Sequence, residues 1–208
     1  MPDFALEDAA RTEGFRLVCG VDEAGRGPWA GPVVAGAVIL DPLSLPAELA
    51  AGLDDSKKLK RAARAALLAA LKPVARIGVG VASVEEIDTH NILSATLLAM
   101  GRAVTDLGAP VPDMALVDGN RPPELGCAVR TVVKGDGLSL SIAAASIVAK
   151  ETRDAMMAEL DRVHPGYGWA RNAGYGTVEH KNALSRLGVT AAHRKSFAPI
   201  RKMLSPEL

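Results

Sequence analysis

The 208-residue sequence has few cysteines, few aromatic residues, no excess charge of either sign and no long apolar run. Cys19 and Cys127 offer no disulfide framework, so we expect buried reduced thiols and a cytoplasmic location. We also expect a monomer. Basic and acidic residues both number 24, which argues against a protein that coats nucleic acid by bulk electrostatic attraction. No apolar run reaches the roughly 18 residues of a membrane span, and the N-terminus lacks a signal-peptide core.

The composition predicts an α/β protein. Apolar residues make up 49% of the chain but aromatic residues only 3%, so the core must depend on Ala, Val, Leu and Ile. Small side chains let helices approach a sheet closely, and alternating helices and strands are the expected arrangement. We expect one domain over residues 1–208, in which residues from about 165 to 208 form a C-terminal helical cap.

Local patterns predict five strands and at least six helices. Short apolar runs indicate strands at 16–21, 33–40, 77–81, 114–117 and 128–133. Helical patterns cover 5–13, 60–71, 83–107, 138–163, 177–187 and 199–204. Ser83 and Glu86 have capping-box spacing, and the helix after them is expected to break near His90 and Asn91. Residues 166–176 read as a glycine-rich loop.

Acidic side chains follow three of the predicted strands. Asp22 and Glu23 come directly after an apolar run, and Asp118 and Asp136 follow two later runs beside glycines. Adjacent carboxylates raise each other's pKa unless a cation such as Mg²⁺ or Mn²⁺ neutralises them. If these strand ends converge, four carboxylates surround one pocket. The alternative is that each Asp–Gly pair is only a turn.

A pocket of this kind suits phosphodiester hydrolysis with two metal ions roughly 3.5–4 Å apart. One ion would activate water, the other would stabilise the leaving 3′-oxygen, and Asp22 would be the natural bridging ligand. The sequence has no Cys/His spacing typical of zinc sites and no phosphate-binding Gly-x-x-x-x-Gly-Lys-Ser/Thr loop. The acids therefore favour a Mg²⁺- or Mn²⁺-dependent hydrolase.

Several motifs, in order over most of the chain, resemble ribonuclease HII. They are residues 21–27 (VDEAGRG), 55–59 (DSKKL), 117–120 (VDGN), 134–136 (KGD), 141–150 (SIAAASIVAK), 174–177 (GYGT) with 179–180 (EH), and 193–197 (HRKSF). This resemblance implies an RNase H-like fold, with a mixed five-stranded sheet flanked by helices. It also implies that the metal-binding catalytic carboxylates are Asp22, Glu23, Asp118 and Asp136.

The resemblance further implies an activity and a way of reading the substrate. The family cuts the RNA strand of RNA/DNA hybrids and nicks duplex DNA 5′ of embedded ribonucleotides, leaving 5′-phosphate and 3′-hydroxyl ends. It thereby removes misincorporated ribonucleotides and RNA primers. The residues expected to bind substrate are Gly25, Arg26, Gly27, Tyr175, Lys57 and Lys58. The first four would read the ribonucleotide–deoxynucleotide junction, and the lysines, with Lys150 and Arg153 as further candidates, would contact phosphates.

The chain departs from the family at Ala173, where a lysine is usual, so local backbone contacts are expected to differ there. It also lacks the N-terminal extension of ribonuclease HIII. No obvious sliding-clamp-binding tail follows Phe197, which makes a clamp partner doubtful. Two alternatives stay open. A DNA nuclease or resolvase could share the fold and the ions, and a catalytically silent nucleic-acid-binding protein would require a broken carboxylate set.

Overall fold

The computed structural model describes residues 1–205 and contains one five-stranded sheet in the order β3-β2-β1-β4-β5. The strands are β1 (Val18–Ala24), β2 (Val33–Leu40), β3 (Ala75–Ala82), β4 (Met114–Asp118) and β5 (Ala128–Val132). Strand β2 pairs antiparallel with β1 and β3, whereas β4 pairs parallel with β1 and β5. The predicted mixed α/β sheet of five strands is confirmed.

Eight α-helices surround or follow the sheet in the described part of the chain. They are α1 (Ala5–Thr12), α2 (Ala47–Gly52), α3 (Arg61–Leu71), α4 (Val84–Asp106), α5 (Leu140–Val163), α6 (Trp169–Asn172), α7 (Val178–Leu187) and α8 (Ala198–Leu204). The sequence patterns missed α2 and α6. Both helices have six residues or fewer, which is too short to display a helical period.

Helix α4 has the predicted cap and the predicted break. The Ser83 hydroxyl accepts from the Glu86 amide at 3.2 Å, and the Glu86 carboxylate accepts from the Ser83 amide at 2.8 Å. Asn91 has φ 68° and ψ 165°, outside the helical region. Its side-chain oxygen accepts from the amides of Leu93 and Ser94 at 2.9 and 3.1 Å. Asn91 therefore restarts the helix as an N-cap.

Helices cover both faces of the sheet. On one face α4 packs against residues of β1 and β2 such as Val21 and Ala35, and on the other α5 and α3 pack against residues such as Val38. Glycine makes the approach of α5 possible, because a Cβ at Gly20 would lie 2.1 Å from the backbone carbon of Ser141. Helix α5 therefore lies almost directly on β1.

The segment after α5 forms a smaller apolar cluster with α5 and the loop after β1. The cluster includes Met157, Tyr167, Trp169, Leu184 and Ala30, all buried. That the whole chain is one domain with a C-terminal cap stays a prediction, and residues 206–208 of that cap lie outside the described residues. Within residues 1–205, no helix is both long and apolar enough to cross a membrane.

Candidate active site

The register of two parallel strands brings Asp22 and Asp118 side by side. Val21 pairs with Val117, so the acid after each valine lies on neighbouring strands about 4.8 Å apart. Asp22 and Glu23 were expected beyond the end of β1, but they lie within it, because β2 continues to pair with this strand as far as Ala24. Their backbones are therefore fixed by the sheet rather than by a loop.

Asp22 is the most buried of the four predicted acids, with 3% of its surface exposed. Burial raises its pKa well above the usual range, and the charges of Glu23 and Asp118 raise it further. The Ser146 hydroxyl from α5 acts in the opposite direction, and that hydroxyl lies 2.8 Å from the Ser56 hydroxyl. Asp22 is thus a carboxylate that the fold places beside like charges.

The charge of Asp118 acts on Glu23, and the two side chains have separate hydrogen-bond partners. Burial raises the pKa of Glu23, the guanidinium of Arg26 lowers it, and Asp118 raises it again. Arg26 lies 3.5 Å from the Glu23 carboxylate. One oxygen of Asp118 accepts from the Gly135 amide at 2.6 Å, which ties the end of β4 to the loop after β5.

Asp136 lies in a 3-10 turn, Gly135–Gly137, directly after that amide. Its pKa is raised by burial first and then by the charges of Asp55 and Asp118. Asp118 and Asp55 therefore both lie close enough to Asp136 for their charges to act on it. Asp55 was not among the predicted site residues. The signal for Asp55 was its place in the DSKKL motif.

The two candidate lysines occupy different surroundings. Partial burial acts to lower the pKa of Lys57, but the carboxylates of four acids outweigh it and raise that pKa; they are Asp22, Asp55, Asp136 and Asp118. Lys58 instead forms an exposed ion pair with Asp54 at 2.9 Å. Lys57 is therefore the lysine that faces the carboxylates.

The acids suit a hard divalent cation in chemistry, although their side chains do not enclose a common point as placed. Among residues 1–205, no group of three or more Asp, Glu, His or Cys side chains converges as a ligand set. Glu23 is held by Arg26 and Asp118 by the Gly135 amide. Crowded carboxylate oxygens with raised pKa values are nevertheless the donors that Mg²⁺ and Mn²⁺ accept.

The predicted junction residues share one cavity beside these acids. Gly25, Arg26, Gly27 and Tyr175 line a space of about 570 Å³ together with Glu23. A Cβ at Gly27 would lie 3.4 Å from ring carbon Cε1 of Tyr175, so the loop and the ring are in contact range. The remaining wall has more basic than acidic residues. Lys57, Arg61, Arg64, Lys150 and Arg171 line it together with Asp154, which pairs with Arg64 at 3.2 Å and with Lys150, a candidate for phosphate contact, at 2.7 Å. A cavity of this composition suits a polyanion.

Two arginines depart from the sequence interpretation. Arg153 was a candidate for phosphate contact, but it is 1% exposed and donates to backbone carbonyls instead. Arg194 is fully buried and also donates to carbonyls. Sequence reasoning assigned Arg194 no role, and its position in the HRKSF motif was the available signal.

Solved structures with a similar fold include ribonucleases H2, HII and HIII. Ribonuclease H2 from Pyrococcus horikoshii superposes with a TM-score of 0.76 and 26% identity, over 90% of this chain and 97% of that one. RNase HII from Archaeoglobus fulgidus, solved as a PCNA:RNase HII complex, has a TM-score of 0.71 and 25% identity, over 86% and 94%. Bst-RNase HIII, solved with Mn²⁺, has the same fold at TM-score 0.75 and 22% identity, over 95% and 72%.

Sequence comparison identifies the family. The family model described as Ribonuclease HII matches residues 19–200. A curated ribonuclease HII from Parvibaculum lavamentivorans is 62% identical over 209 residues, covering 100% of this chain and 76% of that protein. This chain therefore belongs to the ribonuclease HII family, as its motifs predicted. Its activity is that of a ribonuclease H, an endonuclease that cleaves the RNA of RNA/DNA hybrids.

Proposed function

We propose that the enzyme also nicks duplex DNA on the 5′ side of embedded ribonucleotides, leaving 5′-phosphate and 3′-hydroxyl ends. In this way it would remove misincorporated ribonucleotides as well as RNA primers. One observation carries the proposal: the Gly25–Gly27 loop and Tyr175 line the same cavity as Glu23, next to Asp22 and Asp118. The residues proposed to recognise the ribose therefore lie beside the residues proposed to support hydrolysis.

Asp22, Glu23, Asp118 and Asp136 are the proposed catalytic residues, and they would hold Mg²⁺ or Mn²⁺. Divalent ions held by these residues would supply an activated water and would stabilise charge on the leaving 3′-oxygen. Asp22 is the proposed shared ligand, because the charges of both Glu23 and Asp118 act on it. The contact of Asp118 with the Gly135 amide brings the turn that carries Asp136 toward β4.

The loop and the tyrosine are proposed to recognise the junction. The glycines let backbone amides come close to the ribose, whose 2′-hydroxyl distinguishes RNA from DNA. The Tyr175 side chain is 48% exposed, so its ring is available to stack under the deoxyribose of the next nucleotide. Lys57 is proposed to neutralise phosphate along the strand, and Lys58, whose ammonium group pairs with Asp54, is proposed to do so more weakly.

Three duplexes test the proposal: one with a single ribonucleotide, one of DNA only and one RNA/DNA hybrid. We expect Mg²⁺- or Mn²⁺-dependent cutting of the first and third, no cutting of the second, and loss of all cutting after chelation. End mapping should place the nick 5′ of the ribonucleotide. Equal cutting of the DNA duplex would indicate a DNA nuclease or resolvase, and binding without cutting would indicate a silent binding protein.

The Archaeoglobus fulgidus relative was solved with PCNA. For this chain, the doubtful clamp contact stays a prediction that pull-down with a sliding clamp would test.

A further inference from the structure

Arg194 binds the loop between β1 and β2, which carries three of the four predicted junction residues, Gly25–Gly27. Its guanidinium donates to the carbonyls of Gly25 at 2.6 Å and Arg26 at 2.9 Å. It also donates to the carbonyls of Gly31 at 2.9 Å and Pro32 at 3.1 Å. One buried side chain therefore ties together the beginning and the end of the loop between β1 and β2.

Arg153, from α5, links this loop to the segment that precedes Tyr175. It donates to the carbonyls of Ala30 at 3.1 Å and Pro32 at 3.0 Å, and to that of Ala173 at 2.9 Å. A Cβ at Gly25 would lie 1.9 Å from its Nε atom, so the guanidinium packs directly beneath that glycine. Arg153 thereby sets the separation of the two segments.

Neither guanidinium has a carboxylate partner within salt-bridge distance in the part of the chain described, so backbone carbonyls are the main groups that solvate both charges. Arg153 also donates to the Met157 sulfur at 3.6 Å, and Arg194 lies 5.1 Å from the centroid of the Phe197 ring. Burial lowers the pKa of Arg194 to about 9, with Arg153 adding to the effect, and lowers the pKa of Arg153 to about 10. Both stay cationic at neutral pH. Burying a charge is costly unless its hydrogen bonds are satisfied, which requires these carbonyls to point inward.

Inward carbonyls determine where the loop amides point. In a trans peptide the C=O of one residue and the N–H of the next point in opposite directions. Because the carbonyls of Gly25 and Arg26 face Arg194, the amides of Arg26 and Gly27 face away from it. Both residues line the cavity beside the carboxylates.

We propose that Arg194 and Arg153 are positioning residues for junction recognition. Arg194 aims the amides of Arg26 and Gly27 at the sugar–phosphate backbone, and Arg153 fixes the distance between that loop and Tyr175. This inference rests on the proposed junction-reading role of the loop and the tyrosine. A purely structural role would reduce stability and affect all substrates alike, whereas a positioning role changes the preference between substrates.

The test compares Arg194→Lys and Arg153→Lys with the unmodified enzyme. Lysine keeps the charge but lacks the planar fork that reaches several carbonyls at once. The measured quantity is the ratio of kcat/KM on the single-ribonucleotide duplex to kcat/KM on the continuous hybrid, taken at equal temperatures below each Tm. We expect this ratio to fall about tenfold for Arg194→Lys, equivalent to about 1.4 kcal/mol, and less for Arg153→Lys.

Met100→Ala is the control, because Met100 is buried against the opposite face of the sheet. Its Tm should fall while its substrate ratio stays unchanged. Ratios for both arginine variants within twofold of the unmodified enzyme would overturn the inference. Failure of the unmodified enzyme to nick the single-ribonucleotide duplex would instead refute the proposed function.

A measurement without arginine variants covers the case in which neither variant folds. In the Asp118→Asn protein, the amide resonances of Arg26 and Gly27 should shift more on adding the single-ribonucleotide duplex than on adding the DNA duplex. Equal shifts with both duplexes, or no shifts, would also overturn the inference.

Discussion

The cavity is bounded by two regions that are built in opposite ways. The carboxylate edge (Asp22, Glu23, Asp118 and Asp136) depends on strand register for its first three members, and the charges within it raise the pKa values of Asp22, Glu23 and Asp136. The junction wall (Gly25–Gly27 and Tyr175, with Arg153 and Arg194 beneath) depends on side chains that bind backbone carbonyls. At the carboxylate edge, like charges lie close together on a backbone held mainly by the sheet. At the junction wall, the backbone is a loop, and buried arginines bind its carbonyls.

Because of this difference, we expect substitutions in the two regions to affect activity and stability differently. Neutralising an acid at the edge removes repulsion without disturbing the sheet, so it should cost activity and little stability. Disturbing the buried groups behind the wall should cost both, because they carry hydrogen bonds that water cannot replace. Four predictions test this contrast, from the largest expected effect to the smallest.

Asp118→Asn should reduce metal-dependent cleavage by at least about a hundredfold, the loss typical of removing one electrostatic contact to a reacting centre. In the unmodified enzyme the Gly135 amide donates to an Asp118 oxygen at 2.6 Å. The asparagine oxygen can still accept this hydrogen bond, so Tm should hardly change. Single-turnover rates and thermal melting measure both. Asp41→Asn is the control, since Asp41 also accepts from an amide, that of Leu43. Equal activity of Asp118→Asn and the unmodified enzyme would reject the site assignment.

A buried histidine network behind the wall should make stability depend on pH. The Thr190 amide donates to Nδ1 of His193, so Nε2 of His193 carries the proton and donates to Nε2 of His180 at 3.1 Å. That atom also accepts from Nε1 of Trp169 at 3.2 Å, and Nδ1 of His180 then donates to the Tyr175 carbonyl at 3.0 Å. Both histidines are therefore neutral in this arrangement.

Burial, and then the proximity of His180, lowers the pKa of His193 to about 4. The unfolded chain binds a proton below the ordinary histidine pKa of about 6.5, and the folded chain binds it only near pH 4, so stability is lost as pH falls through this window. The free energy of unfolding should decrease by up to about 3 kcal/mol. Urea titrations of His193→Gln should show a flatter pH profile than the exposed control His90→Gln, and identical slopes would contradict the assignment.

Tyr175→Ala should lower kcat/KM on the single-ribonucleotide duplex by roughly 5- to 100-fold, taking for the proposed stacking on a deoxyribose the about 1–3 kcal/mol that an aromatic ring contributes when it stacks on a base. The half-exposed ring supports no buried core, so Tm should change little. Tyr175→Phe keeps the ring and should retain most activity. If Tyr175→Phe were as impaired as Tyr175→Ala, the hydroxyl rather than the stacking surface would be the important group.

Lys57→Ala and Lys58→Ala should separate the two lysines. Lys57 faces the carboxylates, whereas Lys58 has an exposed pair with Asp54, and exposed pairs contribute only about 0.2–1 kcal/mol. We expect a several-fold loss of kcat/KM for Lys57→Ala and less than about a twofold loss for Lys58→Ala. Steady-state kinetics at two salt concentrations would measure both losses. A larger loss for Lys58→Ala than for Lys57→Ala would contradict this prediction.

Particular residues show how far sequence reasoning reached. The break at Asn91 and the Ser83 cap were predictable, because capping chemistry is encoded within a few residues. The recurrence of acids after apolar runs predicted neighbouring positions for Asp22 and Asp118, and the register of β1 and β4 places them side by side. That they hold a metal ion together stays a prediction. The extension of β1 as far as Ala24 was not predictable. It depends on pairing with β2, and no local sequence pattern shows how far two strands pair.

The sequence alone determined the five strands, the longer helices, the acids that follow the apolar runs and the family, because periodicity, capping and motif spacing are local properties of the chain. Only the tertiary structure decided that Arg153 and Arg194 lie buried against loop carbonyls and that Lys57 rather than Lys58 faces the acids. Burial and electrostatic environment depend on contacts between residues distant in sequence, and an arginine in the sequence has the same charge whether it will meet a phosphate or a carbonyl.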